Sequence, residues 1–263
     1  MSSIKDYFSK FEKVGIAYSG GFDSSILLQI ANSILGCKRV FALTFYSELL
    51  SPIPLIEIKK LPENLNIKHK VFFLSPLRLK YFRNNLPDRC YHCKYYLFSE
   101  IKKWCKEKNI TLMEASVVDD LNDFRPGMRA VRELNIISPF IDLKLYKKDL
   151  LKIAKNSKFS MEKILPTTCY ATRIPYGIKI DRFVLKKVAK AEKKILSMGF
   201  RFVRVRYYNE LAKIEVLKDE ISQIIKNRKK ISEELKKIGF KHISVDLLGY
   251  DEKKLLLSEF SFK

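Results

Sequence analysis

Val14-Gly-Ile-Ala-Tyr-Ser-Gly-Gly-Phe-Asp-Ser24 is the stretch of sequence that decides the fold of this chain. Its first five residues form a short apolar run, which predicts a buried strand, and residues 24–33 carry apolar side chains at helical spacing. The two glycines between them allow a ligand to approach the backbone closely. At such a strand–helix junction an open α/β sheet presents backbone N–H groups to an anion. We therefore predict a phosphate-binding loop formed by Ser19, Gly20, Gly21, Asp23 and Ser24.

Two other interpretations of this loop are considered. A Walker A loop is disfavoured because no Gly-Lys-Ser/Thr follows the glycines, which argues against kinase or GTPase chemistry at a γ-phosphate. The second is a chance Gly-Gly turn with Asp23 or Ser24 as the helix N-cap.

Further strand and helix patterns extend outward from this stretch. Apolar runs at residues 40–46, 70–74 and 111–116 predict three more strands, with helical stretches between them. This alternation predicts an α/β fold with a parallel sheet and helices on both faces. In the helix predicted at residues 94–107, Leu97, Ile101, Trp104 and Cys105 share one face, so Cys105 is expected in the core, as is Cys37.

The pattern changes after about residue 177. Helices are predicted at residues 185–198 and 221–238, and strands at residues 202–207, 211–217 and 242–248. This order predicts a small C-terminal α+β domain. We divide the chain into an ATP-binding domain at residues 1–170 and a substrate or oligomerisation domain at residues 171–263.

Composition favours a folded protein: 47% of the 263 residues are hydrophobic and 12% aromatic. No apolar run approaches the roughly 20 residues that span a bilayer, and residues 1–14 lack the apolar core of a secretory signal, so a cytoplasmic location is expected. The net charge of +22 would suit an anionic partner such as a nucleic acid, or it reflects a general lysine bias.

Three of the five cysteines form a candidate site. Cys90 and Cys93 lie in Asp88-Arg-Cys-Tyr-His-Cys93, one turn apart at a predicted helix start with Asp88 as a plausible N-cap, and Cys169 lies in a later loop. A helix N-terminus favours thiolate, the form that binds metal. Three thiolates can hold a [4Fe–4S] cluster with one iron open, able to carry an extra sulfide. A zinc site that includes His92, or buried thiols without metal, are the alternatives.

Taken together, five segments resemble the LarE family of sulfur transferases in the PP-loop ATP pyrophosphatase superfamily. They are the phosphate loop, Pro87-Asp-Arg-Cys-Tyr-His-Cys-Lys94, Asp123-Phe-Arg-Pro-Gly-Met-Arg-Ala130, residues 169–177 and Val203-Arg-Val-Arg206. The resemblance spans about residues 10 to 250. Two segments depart from the family: Ser116-Val-Val precedes Asp119-Asp120 where Gly-Thr-Asn is common, and residues 249–254 lack an Arg-Gly-Asn-like ending.

The resemblance implies a reaction and a set of roles. ATP and Mg²⁺ would adenylate the carboxylate of a nicotinic-acid-derived mononucleotide, and sulfur would then give a thiocarboxylate for a nickel-pincer cofactor. By resemblance Asp23 helps position magnesium, Ser19 and Ser24 bind phosphate oxygens, and Cys169 matches the sulfur-donating cysteine. Family members with only that cysteine sacrifice its sulfur, whereas Cys90 and Cys93 place this chain with the members thought to use an iron–sulfur cluster.

An adenylated intermediate carries several negative charges and needs cationic partners. We expect Arg173, Arg204 and Arg206 to act as phosphate clamps. Arg125, Arg129 and Lys94 are further candidates, and Glu192 matches an acidic family position whose role is left open. A homo-oligomer and a sulfur donor, either sulfide or a protein, are the expected partners.

Two rival functions are compatible with the sequence. Related PP-loop proteins with three cysteines thiolate tRNA, and the charge of +22 would favour a polyanion, although no appended RNA-binding domain or second CxxC is visible. A non-catalytic nucleic-acid-binding module that retains an ATP fold is the other.

Overall fold

The computed structural model describes residues 2–47, 54–121, 126–157, 159 and 168–250. Its larger sheet has four parallel strands in the order β3-β2-β1-β4. Their bounds are β1 Val14–Ala17, β2 Val40–Tyr46, β3 Lys68–Phe73 and β4 Thr111–Met113. The parallel sheet predicted from the sequence is confirmed. The fourth strand is shorter than predicted, so Glu114 leaves the sheet at its carboxyl edge.

Helices cover both faces of this sheet, as predicted. Their bounds are α1 Ser2–Ser9, α2 Phe22–Leu35, α3 Leu55–Asn64, α4 Lys80–Asn84, α5 Arg89–Glu107, α6 Gly127–Glu133, α7 Pro139–Asp142 and α8 Lys147–Asn156. Val14 and Ile16 of β1 pack into one core cluster with α2 and α8, while Leu43 of β2 packs into a second cluster with α5 and α6. Cys105 lies in that second cluster and Cys37 packs against the first.

Close packing between β1 and β2 requires a glycine at position 15. A Cβ atom there would lie 2.5 Å from Leu43 Cδ1 and 3.0 Å from Ile110 Cγ2. Leu43 is fully buried and cannot move aside without disturbing the core. The glycine therefore fixes the position of β1, the strand that leads into the phosphate loop.

The C-terminal part forms a separate three-stranded sheet. Its strands are β5 Val203–Tyr208, β6 Leu211–Val216 and β7 His242–Val245, with β5 antiparallel and β7 parallel to β6. The helices are α9 Arg182–Leu196, α10 Ile221–Lys226 and α11 Arg228–Lys237. The sequence predicts a single helix at residues 221–238, and this prediction is wrong. The helix is interrupted at Asn227, which follows α10 and precedes α11.

The core beneath this second sheet also takes a residue from the first part of the chain. Phe82 of α4 is buried in the same hydrophobic cluster as Leu185 and Val188 of α9. The two parts therefore pack on each other through α4, and the division at residue 170 stays a prediction. None of the described helices is long and apolar enough to cross a membrane.

Candidate functional site: a phosphate loop and three cysteines

The phosphate loop, residues 19–24, follows β1 and is held by hydrogen bonds among its own residues. The Gly21 N–H donates to Ser19 Oγ at 3.3 Å, and Ser24 Oγ donates to the Gly21 carbonyl at 3.0 Å. The Ser19 N–H donates to Ser24 Oγ at 3.3 Å, and the two hydroxyls lie 3.1 Å apart. Gly20 has φ +78°, a left-handed conformation that favours glycine.

Gly21, with extended backbone, is the N-cap of α2, and no side chain caps this helix end. The alternative with Asp23 or Ser24 as N-cap is therefore wrong. An α-helix leaves the N–H groups of its first turn without intrahelical partners, and its dipole is positive at this end. The loop thus has the form of an anion site, and ATP binding there stays a prediction.

Asp23 is paired with a lysine that the sequence analysis did not single out. Lys147, the first residue of α8, directs its ammonium to both carboxylate oxygens of Asp23, with Nζ 2.6 Å from Oδ2. The same ammonium lies 5.2 Å from the centre of the Phe22 ring. The Lys147 backbone N–H donates to Asp119 Oδ2 at 2.7 Å, so the Asp-Asp segment fixes the start of α8.

A half-buried histidine of β3, His69, contacts Thr44 of β2, the strand next to β1. Thr44 Oγ1 donates to the Tyr18 carbonyl at 2.6 Å and lies 2.9 Å from His69 Nε2. Because the hydroxyl has only one hydrogen, His69 donates from Nε2, and its Nδ1 is buried without a partner among the described residues. Burial, and then the charge of Lys59, lower the pKa of His69 to about 4.

A second unpredicted residue, Glu114, joins the carboxyl edge of the sheet to the cysteine helix. Its buried carboxylate accepts hydrogen bonds from the hydroxyls of Ser116, at 2.7 Å, and Ser138, at 2.5 Å. Lys94 Nζ lies 3.8 Å from the same carboxylate. Lys94 follows Cys93 directly, so this contact holds the start of α5 beside β4. The predicted substrate contact of Lys94 stays a prediction.

Cys90 and Cys93 lie in the first turn and a half of α5. Cys90 is exposed and Cys93 is half-buried. Asp88 stands at the N-cap position as predicted, but its side chain does not cap the helix and instead pairs with His92 Nε2 at 3.0 Å. The ring of His92 stacks on Tyr81.

The cysteine loop, residues 168–177, is fastened to the start of α5 by Asn85 and Arg89. The amide of Asn85 donates to the carbonyls of Pro175 and Ile178, both at 2.7 Å. The Asn85 carbonyl accepts from the Gly177 N–H at 3.1 Å, and the Arg89 guanidinium donates to Asn85 Oδ1. Asn85 is fully buried. Cys169 and the CxxC pair are therefore joined through one buried asparagine.

The three thiols are close enough to influence one another. Burial raises the pKa of Cys93, and Cys169 and Cys90 raise it further. Burial also raises the pKa of Cys169. A backbone hydrogen bond from Ala171 lowers this pKa, and the charge of Cys90 raises it. Cys93 and Cys169 pack against the same hydrophobic cluster.

The position of this cysteine region relative to the sheet follows from Tyr170. Burial, and then Glu192, raise the pKa of Tyr170 to about 12, with a smaller contribution from Tyr46. Tyr46 ends β2, so the one electrostatic influence of the large sheet on Tyr170 comes from its carboxyl edge. The phosphate loop, which follows β1, lies at the same edge.

The cysteines fit a [4Fe–4S] cluster by donor type and by their mutual proximity. Within the described part of the chain, however, no three His, Cys, Asp or Glu side chains stand ready to hold a metal ion. Cluster binding by Cys90, Cys93 and Cys169 therefore stays a prediction.

The three arginines predicted as phosphate clamps lie near one another, but two of them are paired with acidic groups. Arg173 is buried and binds Glu192 through Nε, at 2.9 Å, and through Nη2, at 3.2 Å. Its Nη1 donates to the Thr168 carbonyl at 2.8 Å, so it also holds the start of the cysteine loop. Glu192 also accepts from the Val205 N–H at 2.9 Å, which links α9 to β5.

Arg204 and Arg206 alternate along β5 and therefore lie on the same face. Arg206 pairs with Glu215 and reaches the Thr172 carbonyl at 3.4 Å. Arg204 has a buried Nε without a partner among the described residues, and its guanidinium lies 4.4 Å from the centre of the Tyr250 ring. Burial, and then the charge of Arg173, lower the pKa of Arg204.

The two remaining arginine candidates lie elsewhere. Arg129 is exposed, stacks on Tyr91 with its guanidinium carbon 3.6 Å from the ring centre, and pairs with Glu133 at 3.1 Å. Arg125 lies outside the described residues. Phosphate or substrate binding by all these arginines stays a prediction.

Comparisons with known proteins yield three informative relatives. An uncharacterized protein of Methanocaldococcus jannaschii is 35% identical over 251 residues, covering 95% of this chain and 94% of that protein. The pyridinium-3,5-bisthiocarboxylic acid mononucleotide synthase of Lactiplantibacillus plantarum is 27% identical over 95% of this chain and 90% of the synthase. An uncharacterized protein of Synechocystis is 28% identical over 97% of this chain and 96% of that protein. No family model matches the chain.

Proposed function

We propose that this chain belongs to the LarE family and is an ATP-dependent sulfur transferase of nickel-pincer cofactor biosynthesis. The near full-length similarity to the synthase, at 27% identity, supports this family assignment. The proposed substrate is a pyridinium mononucleotide derived from nicotinic acid, whose carboxylate becomes a thiocarboxylate. The observation that carries the proposal is the near full-length similarity to the synthase, and the phosphate loop after β1 supports it.

The first proposed step is adenylation. A carboxylate oxygen of the substrate attacks the α-phosphorus of ATP, and pyrophosphate leaves with the electron pair of the broken P–O bond. The amides and hydroxyls of the phosphate loop would hold the pyrophosphate part, and Asp23 would help position Mg²⁺. The carboxylate thereby gains AMP as a leaving group, which makes its carbon open to attack by sulfur.

The second proposed step is sulfur transfer from Cys169. Its thiolate attacks the acyl carbon, a thioester forms, and AMP leaves with the electron pair of the broken C–O bond. Loss of the Cys169 Cα proton then breaks the Cβ–S bond, and the electron pair goes to sulfur. This sacrificial route leaves the substrate as a thiocarboxylate and residue 169 as dehydroalanine.

In the catalytic form of the proposal, Cys90, Cys93 and Cys169 hold a [4Fe–4S] cluster. When bound, the cluster would supply an open iron for an exchangeable sulfide, so that one chain turns over repeatedly. Support comes from the anchor that Asn85 provides and from the neighbouring thiols, which raise the pKa values of Cys93 and Cys169. Sulfide or a sulfur-donor protein, and assembly as a homo-oligomer, belong to the same proposal.

The cationic face formed by Arg204 and Arg206 is the proposed binding surface for the anionic parts of the substrate. Arg204 supports this role because its buried Nε has no partner among the described residues. Arg173 and Glu192 would set the position of this face through the hydrogen bond that the Val205 N–H donates to Glu192.

One assay tests the reaction. Protein prepared without oxygen is incubated with Mg²⁺, ATP, the pyridinium dicarboxylate mononucleotide and sulfide, and products are analysed by mass spectrometry. We expect AMP, pyrophosphate and a product in which sulfur replaces a carboxylate oxygen. Thiolated tRNA without thiolated pyridine would instead establish the rival function, which the net charge of +22 favours.

Iron and sulfide analysis of the same preparation separates the two sulfur sources. We expect about four irons per chain, as the cluster itself contains, in the wild type and in Cys37→Ala, and loss of the cluster in Cys90→Ala, Cys93→Ala and Cys169→Ala. Cys37 is a matched control because it is a half-buried cysteine that packs against another core cluster. Wild-type protein without iron, together with loss of one H₂S mass from Cys169 during turnover, would refute the cluster and support the sacrificial route.

A further inference from the structure

We propose that Tyr250 is a positioning residue whose ring holds the Arg204 guanidinium in place as a free cation for the phosphate group of the substrate. This inference rests on the proposed function, because it deepens the account of the cationic face of β5. Its basis is the contact of the guanidinium with two aromatic rings. The guanidinium carbon lies 4.4 Å from the centre of the Tyr250 ring and 5.5 Å from the centre of the Phe202 ring.

The three neighbouring arginines differ in what balances their charge. Arg173 binds Glu192, and Arg206 pairs with Glu215. Arg204 has no acidic partner in the described part of the chain, and its buried Nε has no hydrogen-bond partner there either. An arginine side chain does not lose its proton in a folded protein, so this charge persists. Of the three cations, Arg204 is therefore the one whose charge is left for a bound anion.

An aromatic ring holds a guanidinium in a different way from a carboxylate. The ring attracts the cation through its face, whereas the five N–H donors lie in the plane of the guanidinium. A carboxylate would occupy these donors and would repel an incoming phosphate. Contact with Tyr250 and Phe202 therefore restrains Arg204 and still leaves it able to donate to phosphate oxygens.

The Tyr250 ring is itself held in place. Its backbone N–H donates to the Val216 carbonyl at 2.7 Å, at the end of β6 that pairs with the start of β5. Gly249 precedes it with φ +68°, and a Cβ atom there would lie 3.0 Å from the same carbonyl oxygen. Tyr250 is buried, and its ring centre lies 4.4 Å from that of Phe202. The ring therefore cannot turn away from Arg204 without losing these contacts.

Calorimetric titration tests this role, with the pyridinium dicarboxylate mononucleotide and Mg²⁺–ATP as separate ligands. For Tyr250→Leu we expect about fivefold weaker binding of the mononucleotide, as for loss of one cation–π contact. ATP affinity should stay unchanged, because the proposed ATP site is the phosphate loop. Tyr250→Phe keeps the ring without the hydroxyl and should bind both ligands like the wild type. Tyr207→Leu is the matched control, because Tyr207 is a buried tyrosine of β5 on the opposite face from Arg204, and both affinities should be unchanged.

A double-mutant cycle shows whether Tyr250 acts through Arg204. Arg204→Met alone should weaken mononucleotide binding more than Tyr250→Leu does. Tyr250→Leu added to Arg204→Met should then have no further effect. A tyrosine that is only structural, or that binds the ligand itself, would lower the affinity equally in both backgrounds, and this result would overturn the inference.

Equal mononucleotide affinity of Tyr250→Leu and the wild type would also overturn it. So would a loss in Tyr250→Phe as large as that in Tyr250→Leu, since the hydroxyl would then be the group that matters. If circular dichroism shows that Tyr250→Leu is unfolded, the cycle is run with Phe202→Leu, which removes the second ring beside Arg204 and must weaken binding only when Arg204 is present. If the wild type binds no mononucleotide, the proposed function itself fails, which the wild-type titration alone reveals.

Discussion

The phosphate loop is formed by six consecutive residues, whereas the cysteine region is assembled from segments that are distant in the sequence. In the loop, Ser19, Gly21 and Ser24 bind one another, and the partners lie at most five residues apart. In the cysteine region, Asn85 and Ile178 are separated by 93 residues. In the loop Ser19 is exposed, Asp23 is half-buried and Ser24 is buried, while Asn85 and Arg89, which anchor the cysteine region, are both buried. Local bonds suffice to shape an anion site, but positioning three thiols requires buried polar groups whose loss is costly.

The largest expected effect of a single substitution is at the buried pair of Arg173 and Glu192. Glu192→Gln leaves the Arg173 charge buried without its partner, and we expect the free energy of unfolding to fall by about 3–5 kcal/mol. Urea denaturation followed by circular dichroism measures this change. Lys241→Met is the control, because it breaks an exposed 2.6 Å pair with Glu210 and should cost less than about 1 kcal/mol. If the two variants lose similar amounts of unfolding free energy, burial does not make the Arg173–Glu192 pair more important than the exposed pair.

The next effect concerns Asn85, which links the two cysteine segments. Asn85 and the exposed Asn66 both have left-handed backbone, with φ +55° and φ +54°. Replacement of either by alanine incurs the same backbone strain, so the difference isolates the buried hydrogen bonds. We expect Asn85→Ala to be less stable than Asn66→Ala by about 2–3 kcal/mol.

Hydrogen exchange monitored by mass spectrometry shows where Asn85→Ala loosens the protein. We expect faster exchange at residues 169–180 and unchanged exchange at residues 19–30. If exchange rises equally in both segments, the phosphate loop depends on the cysteine region, and the two are not built independently.

A substitution in the phosphate loop should lower the free energy of unfolding less, and the affinity for ATP more, than a substitution in the cysteine region. Gly20 and Gly36 both have φ +78°, and ψ at Gly36 is 157°, so alanine is strained at either position by about 1–3 kcal/mol. Only Gly20 lies in the loop, so Gly20→Ala alone should weaken ATP binding. Thermal unfolding and ATP titration of both variants test this. Loss of ATP binding in Gly36→Ala as well would show that the loop is not locally determined.

The same contrast explains what the sequence could predict. Strand β1, the loop and α2 are contiguous, so apolar periodicity and two glycines were enough to predict them. The CxxC pair and Cys169 were recognisable as residue types, but Asn85, which joins them, is a polar residue before a proline-containing loop and carries no motif. Its role depends on a buried contact that exists only after folding.

The sequence also does not reveal which charged side chains pair in the folded protein. Nothing near Lys147 in the sequence distinguishes it from the other lysines, because its partner Asp23 is 124 residues away. The sequence predicts Glu114 as part of a strand, and only the early end of β4 shows that its carboxylate leaves the sheet and approaches Lys94. At Asp88 the sequence predicts the N-cap position correctly but not the side-chain contact, because the carboxylate pairs with His92.

The smallest expected effect concerns the contact of His69 with Thr44, whose hydroxyl donates to the Tyr18 carbonyl just before the phosphate loop. The folded-state pKa of His69, about 4, lies below its ordinary value of 6.5. The neutral ring therefore adds stability above pH 6.5 that is lost as the pH falls through 4. Because the ring is partly exposed, solvent screening should reduce this contribution to about 1 kcal/mol. His69→Gln keeps an N–H donor for Thr44 without titrating, so the wild type should lose stability relative to His69→Gln between pH 6.5 and 4. Urea denaturation across this range, with NMR titration of the His69 ring protons, measures both quantities. An NMR midpoint near 6.5 with a constant stability difference would show that the ring is solvated and that its contact with Thr44 does not depend on the neutral form.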